Sequence, residues 1–198
     1  MPKWFRRLFT KKGHEKIPEL VERIYRESRG TVAPNSGAMF ALSDMLVERA
    51  LNPGAEGLKR GKKLSRERTW LMYFVGERTV KGGKLSLKSI AMLSGQILEL
   101  LPGYIERNGA KINPLFRKSL AQLEAELPAD YLRINASLSK NPGRENEPMQ
   151  VSDGIIHVAQ ILNDEAMQHA IGNENFERYN LEFEESRALL IKRHAETQ

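Results

Sequence analysis

In segment after segment of this chain, apolar residues recur three and four positions apart, and glycine, proline or asparagine punctuates the segments. Residues 15–29 carry Ile17, Leu20, Val21, Ile24 and Tyr25 in one stripe and end at Gly30. Residues 153–171 carry Ile155, Ile156, Ala159, Leu162, Ala166, Met167 and Ala170. Residues 174–195 place Phe176, Tyr179, Phe183, Leu190 and Ile191 inward. This spacing gathers apolar groups on one side of a 3.6-residue helix, whereas a half-buried strand requires strict alternation. Residues 36–51 are apolar on nearly all sides, as in a central helix.

The remaining elements follow from stop and start signals. Residues 53–64 hold three glycines and the cluster Lys59-Arg60-Gly61-Lys62-Lys63, which reads as a loop, with Ser65 capping a helix over 66–79. That helix is chosen on length, since Thr69-Trp70 and Tyr73-Phe74-Val75 also suit a strand. Lys81-Gly82-Gly83-Lys84 is a turn. Pro102 is expected to break or kink a helix over 86–107. Asn113-Pro114 opens the next, with Leu115, Phe116, Leu120, Leu123 and Leu127 inward, and Pro128 begins a further short helix holding Tyr131, Leu132, Ile134 and Leu138.

The sum is an all-α, antiparallel multi-helix bundle of about eight helices with short connections, led by a short basic amphipathic N-terminal helix. The expected organisation is a basic arm over 1–13, a helical bundle over 14–138, a linker at 139–148 (SKNPGRENEP), and a C-terminal helical hairpin over 149–198 packed on the same bundle.

Charge is placed unevenly. Residues 1–88 hold 20 Lys and Arg against 9 Asp and Glu, while residues 89–198 hold 11 against 16. The first half therefore suits an anionic partner. Its most informative part is the opening MPKWFRRLFTKKG. On a helical wheel Trp4, Phe5, Leu8 and Phe9 fall within about 140° of one another, and Lys3, Arg6, Arg7 and Lys11 fall on the other side. Lys12 alone breaks the separation. Aromatic groups on one face and cations on the other match an interfacial helix. The same face also suits docking on the protein's own core or a second subunit, or base stacking on nucleic acid. A secondary basic patch comprises Lys59, Arg60, Lys62, Lys63, Arg66 and Arg68, able to contact phosphates of lipid or nucleic acid without reading sequence.

Chemistry is sparse. With no cysteine, the sequence excludes thiol catalysis, disulfides and cysteine-ligated metals, and fits a reducing compartment. The opening lacks the apolar stretch of a secretory signal, and no apolar run approaches a transmembrane span. Phosphate-cradling glycine loops, helix-borne zinc pairs and nucleophile elbows are all missing. Asp153–His157 and Glu165–His169 share helix faces, but the two histidines lie about 18 Å apart along one axis and suit surface ion pairs better than one metal. Ala91 and Gly95 have helix-turn-helix spacing without base-reading cations, and suit close helix packing instead.

The expected function is that of a non-catalytic helical adaptor or regulatory protein, with no cofactor and no metal. It is expected in the cytoplasm, peripheral at the inner face of a membrane, with an anionic membrane surface or acidic protein as partner. The alternative is a nucleic-acid-binding accessory protein using residues 1–12 and 59–68.

Overall fold

The computed structural model describes residues 15–28, 37–51 and 56–196. The chain is all-α. Seven α-helices lie among the described residues: α1 (Ile17–Glu27), α2 (Gly37–Ala50), α3 (Leu58–Val80), α4 (Leu87–Asn108), α5 (Pro114–Lys140), α6 (Asp153–Ile171) and α7 (Asn173–Ala195). Two three-residue strands, β1 (Lys84–Ser86) and β2 (Pro148–Gln150), pair antiparallel with Leu85 opposite Met149. The described residues form two compact units: those up to Trp70 together with those from Met167 onward, and Leu71–Ala166.

In the first unit, α1 buries the stripe Ile17, Leu20, Val21, Ile24 and Tyr25 against α2 and α7. Its first turn carries Pro18 and Glu19 and its last turn Arg26, the order that a helix dipole favours. Ten of the fourteen residues of α2 are buried, including Ser43 and Asp44. Aromatic groups dominate the inner face of α7, where Phe176, Tyr179 and Phe183 are buried with Ser186 and Leu190.

The second unit is built on α4 packed against α5. Gly95 faces the ring of Tyr131, and a Cβ placed there would stand 3.6 Å from it, an ordinary van der Waals contact. Leu120, Leu127 and Ile134 anchor α5 at seven-residue intervals. Gly82 and Gly83 both adopt positive φ in the turn before β1, a conformation that side chains with a Cβ resist.

Several expectations are corrected. The segment 59–63 is not a loop: α3 begins at Leu58 and runs unbroken to Val80, so Ser65 sits mid-helix rather than at a cap, while 66–79 is helical as its length implies. The fit around Gly61 accounts for this, since its backbone lies against Val47 and Ile171 with no room for a larger residue. Neither proline ends its helix: α4 is continuous through Pro102 and α5 through Pro128. Both prolines are exposed, and in α5 the buried Leu127 and Ile134 bracket Pro128. Leu115 is 78% exposed and Leu132 also faces outward, because the buried stripe of α5 runs through Leu120, Leu127 and Ile134. Ile191 is exposed because Leu190, one position and about 100° away, takes the core side. Residues 139–148 contain the end of α5, a 3₁₀ turn (Pro142–Asn146) and the first residue of β2.

Candidate anion-binding surface

The arm residues Lys3, Trp4, Phe5, Arg6, Arg7, Leu8, Phe9, Lys11 and Lys12 lie outside the described residues. The place where the arm joins the fold is described. Glu15 receives two hydrogen bonds from Arg23 Nε at 3.0 and 3.1 Å and a third from Nη2 at 2.6 Å. Its backbone carbonyl accepts from Arg49 Nη1 at 2.6 Å, and Arg49 Nε donates to Glu182 of α7 at 2.9 Å. Glu15 is thereby linked through Arg49 to α7.

The secondary patch lies on α3, with Lys59, Lys62, Lys63 and Arg66 on one face, Arg60 beside them and Arg68 on the opposite side, and its cations are largely engaged within the first unit. Lys62 meets Glu48, and Lys63 meets Glu67 at 3.5 Å. Arg66 forks onto Asp44, with Nε 2.7 Å from Oδ1 and Nη2 on Oδ2. Asp44 is only 2% exposed, so this guanidinium supplies the countercharge that a buried carboxylate needs. The hydrogen bond to Asp44 holds the Arg66 guanidinium above its ordinary range, against burial. Arg68 donates to Asn180 and lies over the rings of Phe176, Tyr179 and Phe183 at 5.9, 5.8 and 5.5 Å from their centroids. Lys59 and Lys63 are the exposed members of the patch.

Beside this ion-paired face runs a buried hydroxyl chain. Ser43 and Thr69 share a hydrogen bond at 2.7 Å, Thr69 donates to the Ser65 carbonyl at 3.1 Å, and the Ser65 hydroxyl meets Tyr179 at 2.7 Å. It joins α2, α3 and α7. The sequence offered one signal for it: polar residues inside otherwise apolar runs, Ser43-Asp44 above all.

The two carboxylates expected to pair with histidines instead meet arginines. Asp153 receives Arg78, and Glu165 receives Arg107 at 2.7 and 2.8 Å together with Asn108 at 3.1 Å. His157 and His169 are exposed.

In the second unit a carboxylate that the sequence reading passed over is the most buried acid on its helix. Glu77, 8% exposed, accepts from Lys81 Nζ at 2.7 Å, from the Ser86 backbone N–H at 3.1 Å and from the Ser89 hydroxyl. Burial pushes this carboxyl up, but the donors Lys81, Ser89 and Ser86 outweigh it and leave the group below its usual range. It ties the end of α3 to the start of α4, where Ser86 caps the helix by accepting from the Ser89 N–H at 3.2 Å.

Among the described residues no three or more His, Asp or Glu side chains gather as a metal site would require, and no helix is long and apolar enough to cross a membrane. A groove of about 180 Å³ along α1 and α7, lined by Pro18, Val21 and Leu189 and bordered by the Arg193–Glu22 ion pair at 2.9 Å, is smaller than the roughly 300 Å³ at which small-molecule pockets begin. No protein-family model, no curated protein and no solved structure matches the chain.

Proposed function

We propose that this chain is a non-catalytic helical adaptor or regulator that binds an anionic membrane surface through residues 1–12. The observation that carries this reading is the arm itself: Trp4, Phe5, Leu8 and Phe9 share one helical face, five Lys or Arg accompany them, and no acidic residue interrupts. The large apolar groups would enter the headgroup boundary while the cations meet lipid phosphates. Each such cation contributes about 1 kcal/mol near an anionic surface. A single short element of this kind gives reversible attachment, as a regulator needs.

The state of the other basic segment supports the arm as the primary element. Lys62, Arg66 and Arg68 already face Glu48, Asp44 and Asn180, so a polyanion would have to displace internal partners to use them. The nucleic-acid alternative leans on that segment together with the arm, and a contiguous apolar face adds little to phosphate contact.

The test compares the full chain with one lacking residues 2–12, using sedimentation with mixed phosphatidylcholine and phosphatidylglycerol vesicles. The expected result is loss of vesicle binding with unchanged helicity by circular dichroism, and weakening of the full chain's binding as salt rises. Equal sedimentation of the two proteins would refute the reading.

A further inference from the structure

α5 is 27 residues long, yet it buries only three side chains, Leu120, Leu127 and Ile134. Its main neighbours are α4 and the 3₁₀ turn. On the side opposite the buried stripe lie Ala121, Ala125, Pro128, Ala129, Leu132 and Ala136, all exposed, Leu132 at 68%. At about 100° per residue they occupy a sector roughly 100° wide and about 22 Å long. Between residues 121 and 136 no polar or charged side chain falls inside that sector. The alanines form a shallow trough, and Leu132 is its largest projection.

One edge of the strip carries Glu126 and Arg133, both exposed and engaged only on the surface of α5 itself: Glu126 accepts from Gln122 at 3.0 Å, and Arg133 donates to Asp130 at 2.9 Å. When two copies of a helix pack antiparallel about a two-fold axis, each edge meets the same edge of the other copy. The strip has its midpoint between Pro128 and Ala129, and Glu126 and Arg133 have theirs between Ala129 and Asp130, one residue further on. A single axis therefore serves both. It sets Glu126 of each copy opposite Arg133 of the other, and it lowers each Leu132 between Ala125 and Ala129 of the second copy. On the other edge Glu124 comes opposite Asn135, so no like charges meet.

We propose that the outer face of α5 is the interface of a two-fold, antiparallel dimer of this chain, seated on the strip from Ala121 to Ala136 and held in register by two Glu126–Arg133 pairs. A strip about 22 Å long and one helix wide stands at the small end of specific interfaces, so the dimer is weak and reversible. The contact is independent of residues 1–12 and of their reading as a membrane-binding element.

Sedimentation equilibrium of the full chain should show a monomer–dimer equilibrium. Glu126→Arg and Arg133→Glu should each weaken it by about tenfold, because each creates two like-charge pairs per dimer, and the double reversal should restore it. The chain has no cysteine, so one introduced thiol reports its neighbours cleanly. At an interaxial distance of about 8 Å, the proposed axis puts the two Cα atoms of position 129 about 5 Å apart, within disulfide range, and those of position 136 about 20 Å apart. Ala129→Cys is therefore expected to cross-link under diamide, and Ala136→Cys is not. All four positions are exposed, so helicity by circular dichroism should be unchanged. A chain that stays monomeric up to about 500 µM overturns the proposal. So does a dimer indifferent to both charge reversals, which would place the contact elsewhere, and so does cross-linking at 136 in preference to 129, which would make the helices parallel.

Discussion

Replacing Glu77 with alanine removes the acceptor of three donors at once. Ser86 and Ser89 are both buried, so the Ser86 N–H would lose its partner where water does not reach. An unsatisfied buried donor costs about 1–3 kcal/mol, and the lost burial of the side chain's methylenes adds roughly 1 kcal/mol. Lys81 is partly exposed and can be rehydrated, so its pair adds only a few tenths of a kcal/mol. The expected cost is about 3 kcal/mol for Glu77→Ala and about half that for Glu77→Gln, which keeps a carbonyl acceptor but loses charge. At this chain size, about 3 kcal/mol corresponds to a fall of roughly 6–12 °C in Tm. The pH dependence has a definite sign. The folded carboxyl lies below its usual range, so its contribution is complete above roughly pH 4.3, the unfolded value, and is lost as pH falls through the lower folded value. Urea unfolding of the wild type and Glu77→Gln should therefore differ at neutral pH and converge on acidification. A Glu77→Ala protein within about 0.5 kcal/mol of wild type, or a wild-type–Gln difference that is constant with pH, would refute the assignment.

Two further substitutions probe the first unit. Gly57→Ala should destabilise by more than about 2 kcal/mol in a thermal melt, because Gly57 has φ +90° and a Cβ there would stand 2.1 Å from the Ala170 carbonyl oxygen. Arg68→Lys should cost about 1 kcal/mol in chemical denaturation, since an ammonium cannot lie flat over three rings while donating to Asn180; an unchanged midpoint would mean that charge alone matters there.

Periodicity made the helices legible where a stripe was clean. The five buried residues of α1 are the five its spacing names, and Asn113 caps α5 by accepting from the Leu115 N–H, as Asn-Pro implies. What escaped was decided by tertiary contact. Lys59-Arg60-Gly61-Lys62-Lys63 has the composition of a loop, but the packing of Gly61 on Val47 and Ile171, the Lys62–Glu48 pair and the buried Leu64 are tertiary contacts made by a helix there. Three-residue strands are too short to display a period, so β1 and β2 left no trace. The exposed Pro128 misleads for a related reason: the rule counts the lost hydrogen bond but not the burial of Leu127 and Ile134 around it. The candidate surface was legible in the opposite sense. The amphipathicity of the arm is a property of sequence, whereas the engagement of Lys62, Arg66 and Arg68 by Glu48, Asp44 and Asn180 is a product of tertiary contact.

The hydroxyl chain through Ser43, Thr69, Ser65 and Tyr179 has a consequence for uniqueness rather than for strength. Apolar groups at these positions could bury comparable area, and apolar surfaces tolerate sliding. Hydroxyls do not. If α3 slipped by one residue, Ser65 and Thr69 would rotate by about 100° and leave Tyr179 and Ser43 without partners in a dry interior. Three helices are thereby keyed to one register, and the buried Asp44–Arg66 fork keys two of them a second time. Tyr179, fully buried on the inner face of α7, is the residue through which that helix shares in the register.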